Sequence, residues 1–201
     1  MALEKPSPNE SPFTRRTLLA GAATAFVPVS AILPTAQAAP PARALTAEQR
    51  KLTEMLVDRI LPADELGPGA LELGAANYID VQMAGYLAPQ KEAFLAGLAA
   101  LDAYAKETRG ASFANMSADQ RDAVLTAITQ EGAPQNLRAF FNQARTYTIQ
   151  GTFGDPHYGG NLGGKGWDII RYPGPRLATT QEMQKMDRPA QPYRRSAWGN
   201  E

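Results

Sequence analysis

Residues 151–175 read GTFGDPHYGGNLGGKGWDIIRYPGP, a segment that combines many glycines with aromatic side chains. It contains eight of the 17 glycines of the chain and its single histidine, His157. Glycine allows tight turns, whereas aromatic rings need a surface to pack against. This composition predicts an ordered loop that is held in place by helices or by a partner protein.

An amphipathic helix leads directly into this loop. Over residues 135–150, apolar side chains recur at i, i+3 and i+4, which is the pattern of a helix with one buried face. Gly151 follows this pattern and is predicted to be the C-cap of the helix. The entry to the loop is therefore expected to be set by a well-packed helix.

Four further helices are predicted before that one. Thr46 and Ser117 are each followed three residues later by glutamine, which is the capping-box pattern of a helix N-terminus. The helices are expected over residues 46–61, 74–87, 89–108 and 117–132, with Asp80 outside the apolar stripe of the second. No alternating strand pattern occurs. The predicted fold is all-α, a compact bundle of about five helices with a long loop rich in glycine and aromatic residues and an extended C-terminal tail.

Composition and charge argue against several classes of function. The 20 basic and 20 acidic residues leave no net charge, which disfavours nucleic acid as a partner. The chain has no cysteine, so it cannot hold an iron–sulfur cluster through thiolates or attach a c-type haem covalently. A zinc site would have to use carboxylates almost alone, because there is a single histidine. We therefore expect no catalytic residue, cofactor site or metal site in this chain.

The N-terminal segment has the features of an export signal. Arg15 and Arg16 precede leucines and an apolar run, which ends in an A-x-A pattern at Ala38. This predicts a twin-arginine signal peptide, cleavage between Ala38 and Ala39, and a periplasmic location. A retained membrane anchor is the alternative, although two prolines interrupt the run. The chain is expected to divide into a signal peptide, a helical domain and an extended tail, at residues 1–38, 39–178 and 179–201.

The loop offers candidates for partner contact rather than for catalysis. His157 is typical of acid–base chemistry, but no nucleophile motif and no second histidine accompany it, so we interpret it as a structural or interface residue. Residues 159–165 are similar to a phosphate-binding loop but lack its G-x-x-x-x-G-K-[ST] order. Large aromatic side chains are the best contact candidates, and their folding back onto the helices is an equally open alternative. Together with His157, these candidates are Phe153, Tyr158, Trp167 and Tyr172.

Several motifs together resemble one known family. They are the twin-arginine leader, ILPAD at residues 60–64, GPGA at 67–70, GTFGDPHYGGN at 151–161, GW at 166–167 and YPG at 172–174. The combination resembles the gluconate 2-dehydrogenase subunit 3 family. Members of this family are small non-catalytic subunits of membrane-associated flavin dehydrogenases.

This resemblance implies the partners and cofactors. It implies that the chain binds a larger FAD-containing dehydrogenase of the glucose-methanol-choline type, supports its maturation and provides its export signal. Haem c would belong to a cytochrome subunit, and the complex would be associated with the inner membrane. Residues 88–133 look shorter than the corresponding part of the gluconate enzyme's small subunit, which leaves the sugar or sugar acid open. The alternative function is a stand-alone periplasmic sugar-binding protein or enzyme that uses residues 151–175 as a pocket wall.

Overall fold

The computed structural model describes residues 42–176, 178–185, 192 and 195–198, and within them it contains helices and no strand. The predicted all-α bundle with five main helices is confirmed, and a short sixth helix lies inside the glycine-rich segment. The predicted leader residues Arg15, Arg16, Ala38 and Ala39 lie outside the described part of the chain. In order, the helices are α1 (Ala47–Ile60), α2 (Ala75–Ala84), α3 (Lys91–Arg109), α4 (Ala118–Thr129), α5 (Gln135–Phe153) and α6 (Lys165–Ile169).

The N-termini of α1 and α4 are fixed by the two predicted capping boxes. The Thr46 hydroxyl oxygen accepts from the Gln49 N–H at 3.3 Å, and the Gln49 side chain accepts from the Thr46 N–H at 2.9 Å. Ser117 and Gln120 make the same two bonds at 3.3 and 3.0 Å. These bonds satisfy amide groups that the start of a helix otherwise leaves unpaired.

Helix α5 is central to the bundle, because it contacts each of the other four long helices. Phe94 of α3 packs against two of its rings, with centroid distances of 5.5 Å to Phe140 and 6.1 Å to Tyr147. Buried apolar side chains from α1 to α4 complete the core around these rings. Examples are Leu56, Ile79, Leu98, Leu101, Val124 and Ile128.

The prediction that Gly151 caps α5 is wrong. The helix continues through Phe153, and Gly154 is its C-cap. Gly151 instead faces α2, where an added Cβ would lie 2.9 Å from both the Cα of Ala75 and the Cβ of Tyr78. Glycine is required there because the two helix backbones approach each other too closely for a side chain.

Helix α2 is shorter than predicted at both ends. Gly74, which was expected inside the helix, is its N-cap and has a φ of 80°. At the other end the helix stops at Ala84, and the Leu87 N–H donates to the Gln82 carbonyl at 2.8 Å as the chain turns. The following 3₁₀ turn, Ala88–Gln90, leads into α3.

The sequence pattern also misplaced Asp80, which is buried rather than outside the packed face of α2. Its carboxylate accepts from the backbone N–H groups of Ala44 and Leu45, each at 2.8 Å. It also pairs with Arg43 at 3.1 Å and with Arg50 at 3.0 Å. A buried carboxylate is tolerated when it is paired and hydrogen-bonded in this way, and Asp80 thereby fastens residues 43–45 to α2.

Candidate partner-binding surface

The loop after α5 folds back and lies directly on the last turns of that helix. The Asn161 N–H donates to the Gly151 carbonyl at 2.7 Å. A side chain on Gly160 would collide with this same carbonyl oxygen, and one on Gly166 would collide with the carbonyl oxygen of Thr152. Two glycines of the loop therefore allow backbone to pack on backbone.

Asn161 is the residue that organises the loop, and the sequence interpretation did not single it out. Its side chain is fully buried. The amide Nδ2 donates to the Gly154 carbonyl at 2.7 Å, and Oδ1 accepts from the Gly166 N–H at 2.8 Å. Its φ of 44° is a left-handed conformation that asparagine adopts more readily than most residues. The sequence feature that could have indicated this role is the position of Asn161 between two pairs of glycines, at residues 159–160 and 163–164.

Helix α2 holds the loop from a second side. The Asn77 side chain donates to the Gly159 carbonyl at 2.6 Å, and the Gln82 side chain donates to the Tyr158 carbonyl at 3.1 Å. The Leu162 N–H donates to the Leu73 carbonyl, just before α2, at 3.1 Å. The loop is thus fixed to two helices, which agrees with the prediction that it is ordered.

Trp167 belongs to the interior of the loop. Its side chain is only 5% exposed, and its indole N–H donates to the Phe153 carbonyl at 2.9 Å. The Tyr172 ring meets it edge-on at a centroid distance of 5.4 Å. Of the two alternatives that the sequence left open, Trp167 therefore takes the folded-back arrangement. The Phe153 side chain is half-buried.

Several other side chains of the loop remain exposed. Tyr158 is 40% exposed, His157 beside it is also exposed, and Leu162, Ile170 and Tyr172 are each about half exposed. We call these five residues the loop surface. They combine apolar and aromatic side chains with a backbone that is held by hydrogen bonds, which is the combination that favours a protein contact.

Asp155 shapes the turn at one end of the loop surface. Its carboxylate accepts from the His157 N–H at 3.0 Å, which is typical of an Asp-Pro turn, and from the Ala197 N–H of the tail at 2.8 Å. Burial raises its pKa, but hydrogen bonds from Ser196, Ala197 and His157 outweigh this effect, so the pKa of Asp155 lies below its usual value. At neutral pH the carboxylate is therefore ionised, and it accepts hydrogen bonds from the backbone of His157 and Ala197.

Three further findings bear on other kinds of site. The described residues contain no group of three or more histidine and acidic side chains placed to hold a metal ion. A cleft of 560 Å³ between α1 and α3 includes Asp102 and Lys106 in its wall, but no residue of the loop. Across the described ranges, no helix is both long and apolar enough to cross a membrane.

Comparison with known families gives a match that spans the helices and almost all of the loop. A family model described as gluconate 2-dehydrogenase subunit 3 matches residues 47–174, from the first residue of α1 to the end of the loop. No match was found among curated proteins or among solved structures. The matched region covers well over half of the 201 residues and confirms the resemblance seen in the motifs. The chain therefore belongs to the gluconate 2-dehydrogenase subunit 3 family.

Proposed function

We propose that this chain is the non-catalytic small subunit of a periplasmic FAD-dependent dehydrogenase complex that oxidises a sugar or sugar acid. Its task is to bind the flavoprotein subunit, of the glucose-methanol-choline type, through the loop surface. Membership of a family of dehydrogenase subunits supports a role within such a complex. The observation that supports this surface is the exposure of Tyr158, Leu162, Ile170 and Tyr172 on a loop fixed to two helices.

The fixed backbone matters because binding has an entropic cost. Ordering a mobile segment on association opposes binding, and large side chains that are already in place avoid much of this cost. The bonds from Asn77 to Gly159 and from Asn161 to Gly154 hold the loop before any partner arrives. Tyrosine suits such a surface, since it offers a large contact area with few rotatable bonds.

The cofactors are assigned to partner subunits in this proposal. FAD belongs to the large flavoprotein, and haem c belongs to a cytochrome subunit. Covalent attachment of haem c needs cysteine, and this chain has none. Electrons from the sugar therefore pass from the flavin to the cytochrome without a redox group in this chain.

The N-terminal segment supports a second task in the same complex. The pair Arg15-Arg16 and the Ala38-Ala39 junction fit a twin-arginine signal, a route that moves folded proteins. We propose that the small subunit binds the folded flavoprotein in the cytoplasm, supports its maturation and carries it to the periplasm. The assembled complex associates with the inner membrane through its partners or through an uncleaved leader.

Co-purification tests this proposal. The chain, tagged at its C-terminus, would be produced together with the proposed FAD-containing subunit, and the tagged material would be isolated from the periplasm. We expect flavin absorbance and the large subunit in the tagged fraction, and we expect the large subunit to stay in the cytoplasm when Arg15 and Arg16 are both replaced by lysine. Sugar binding or sugar oxidation by the chain alone would instead establish the stand-alone alternative.

A further inference from the structure

Asp155 joins two segments that lie far apart in the sequence. One carboxylate oxygen accepts from the His157 N–H at 3.0 Å and so forms the 3₁₀ turn Pro156–Tyr158. The other oxygen accepts from the Ala197 N–H at 2.8 Å, and the Ser196 hydroxyl is also hydrogen-bonded to this carboxylate. One side chain thus connects the loop to the C-terminal tail.

The tail also covers part of the loop surface. The Trp198 ring stacks on the His157 ring with a centroid distance of 5.5 Å and an interplanar angle of 29°. The same His157 ring meets Tyr158 edge-on at 5.5 Å. Within the tail, the Ser196 hydroxyl oxygen accepts from the Trp198 N–H at 3.0 Å, which sets the indole in position over the histidine. Residues 196–198 therefore contact His157, a member of the loop surface, and Asp155 next to it in this turn.

The described contacts of these three residues are open to solvent. Trp198 remains 68% exposed, and Ala197 is exposed as well. Hydrogen bonds in such positions compete with water, and fixing an exposed segment opposes them through lost conformational entropy. Residues 196–198 are therefore held weakly enough to be displaced while the helices stay folded.

Residues 196–198 lie beyond the part of the chain that the family model matches. The family match ends at residue 174, so it contains the loop but not residues 196–198.

From these contacts we propose that residues 196–198 form a strap over Asp155 and His157 in the free subunit, and that the flavoprotein displaces this strap when it binds. The displacement rests on the proposed function, whereas the strap itself rests on contacts within this chain. Because the strap and the partner compete for His157 and its neighbours, the strap lowers the affinity of the free subunit for a partner.

The strap is tested first in the free chain. The chain contains two tryptophans, so labelling it with 5-fluorotryptophan gives two ¹⁹F signals, and Trp198→Phe assigns them. We expect the Trp198 signal to shift in His157→Ala, and in Ala197→Pro, which removes the N–H that Asp155 accepts. Ala197→Gly keeps that N–H and is the matched control. An unchanged Trp198 signal in His157→Ala and Ala197→Pro would overturn the proposal.

The displacement is tested with the separately purified FAD-containing subunit. Adding it to the labelled wild-type chain is expected to move the Trp198 signal to the position seen in Ala197→Pro. The dissociation constant is expected to be about threefold to tenfold lower for Trp198→Ala than for wild type, and unchanged for Met183→Ala, an exposed tail residue before the strap.

The outcomes separate the two proposals. Equal or weaker binding of Trp198→Ala, with binding by wild type intact, would overturn the displacement and leave the small-subunit function standing. Absence of binding by every variant would refute the proposed function and the displacement with it, while the ¹⁹F shifts in the free chain would still decide whether the strap exists.

Discussion

The backbone N–H of Asn161 lies 2.7 Å from the carbonyl oxygen of Gly151, so the loop is bonded to the helix from which it emerges. The carbonyl of Gly151 belongs to α5, which contacts all the other long helices. The loop surface is in this way attached to the centre of the bundle. Its exposed side chains are held in place by groups that are themselves buried.

Replacing Asn161 is expected to destabilise the whole chain. Asn161→Ala leaves the Gly154 carbonyl and the Gly166 N–H without their side-chain partner and imposes a left-handed φ on alanine. We expect a loss of about 3 kcal/mol in the free energy of unfolding, measured by denaturant titration. Asn161→Gly relaxes the backbone but loses the same bonds, so it should recover only about 1 kcal/mol of that loss. Asn142→Ala, at an exposed position on α5, is the control, and an equal effect of the two alanine variants would contradict this role.

Gly151→Ala tests the close crossing of α2 and α5. At an open helical position, alanine in place of glycine stabilises by about 1 kcal/mol. Here the new Cβ would lie 2.9 Å from the Cα of Ala75, so the helices must separate. We expect a net destabilisation of about 1–2 kcal/mol, seen as a lower denaturation midpoint. A raised midpoint would show that the crossing has room for a methyl group.

Trp167→Ala is expected to act on the chain before any partner is present. The indole is 5% exposed and bonded to the Phe153 carbonyl, so its removal leaves a cavity inside the loop. We expect a loss of about 3 kcal/mol in the free energy of unfolding of the isolated chain. Unchanged stability together with weaker partner binding would instead make Trp167 a direct contact residue.

Asp80 is expected to make stability depend on acid pH. Burial raises its pKa, but hydrogen bonds from Leu45, Ala44, Arg43 and Arg50 outweigh this, so the pKa in the folded chain lies below the ordinary 3.8. The stabilisation is therefore present above pH 3.8 and is lost as the pH falls through the lower, folded value. Asp80→Asn should lose about 2 kcal/mol at neutral pH.

A pH series separates the contribution of Asp80 from a general effect of acid on stability. Wild type should lose stability as the pH falls below about 4, and Asp80→Asn should lose less over the same interval. Part of the fall will persist in the variant, because the pKa values of Asp102, Asp122 and Asp155 are lowered too. Glu131→Gln, an exposed carboxylate in a turn, should follow wild type, and parallel curves for all three proteins would exclude the role of Asp80.

The sequence correctly predicted features that depend on residues close together along the chain. The capping boxes at Thr46 and Ser117 and the apolar spacing of α5 are local, and the structure confirms them. Asp80 could not be placed in this way, because its partners lie 30 to 37 residues earlier in the chain. The role of Gly151 was missed for the same reason, since the residue it faces is on α2.

The sequence predicted that the loop is ordered, but it did not predict which contacts order it. Helix α6 has five residues and lies among glycines, which is too short a segment for a periodic pattern to reveal. Trp167 and Tyr158 are indistinguishable as aromatic candidates in the sequence, yet one is buried and the other is exposed. This difference depends on the Asn161 bonds, and those are visible only in the folded chain.

The dissociation constant between this chain and its FAD-containing partner tests the central claim most directly. Calorimetric titration would compare wild type with the double variant Tyr158→Ala/Ile170→Ala and with Ile149→Ala, a residue of α5 that is 41% exposed and outside the loop surface. We expect saturable binding by wild type, binding at least about tenfold weaker for the double variant, and less than about a twofold change for Ile149→Ala. Absence of binding by wild type, or equal affinities for all three proteins, would contradict the assignment of the loop surface as the site where the flavoprotein binds.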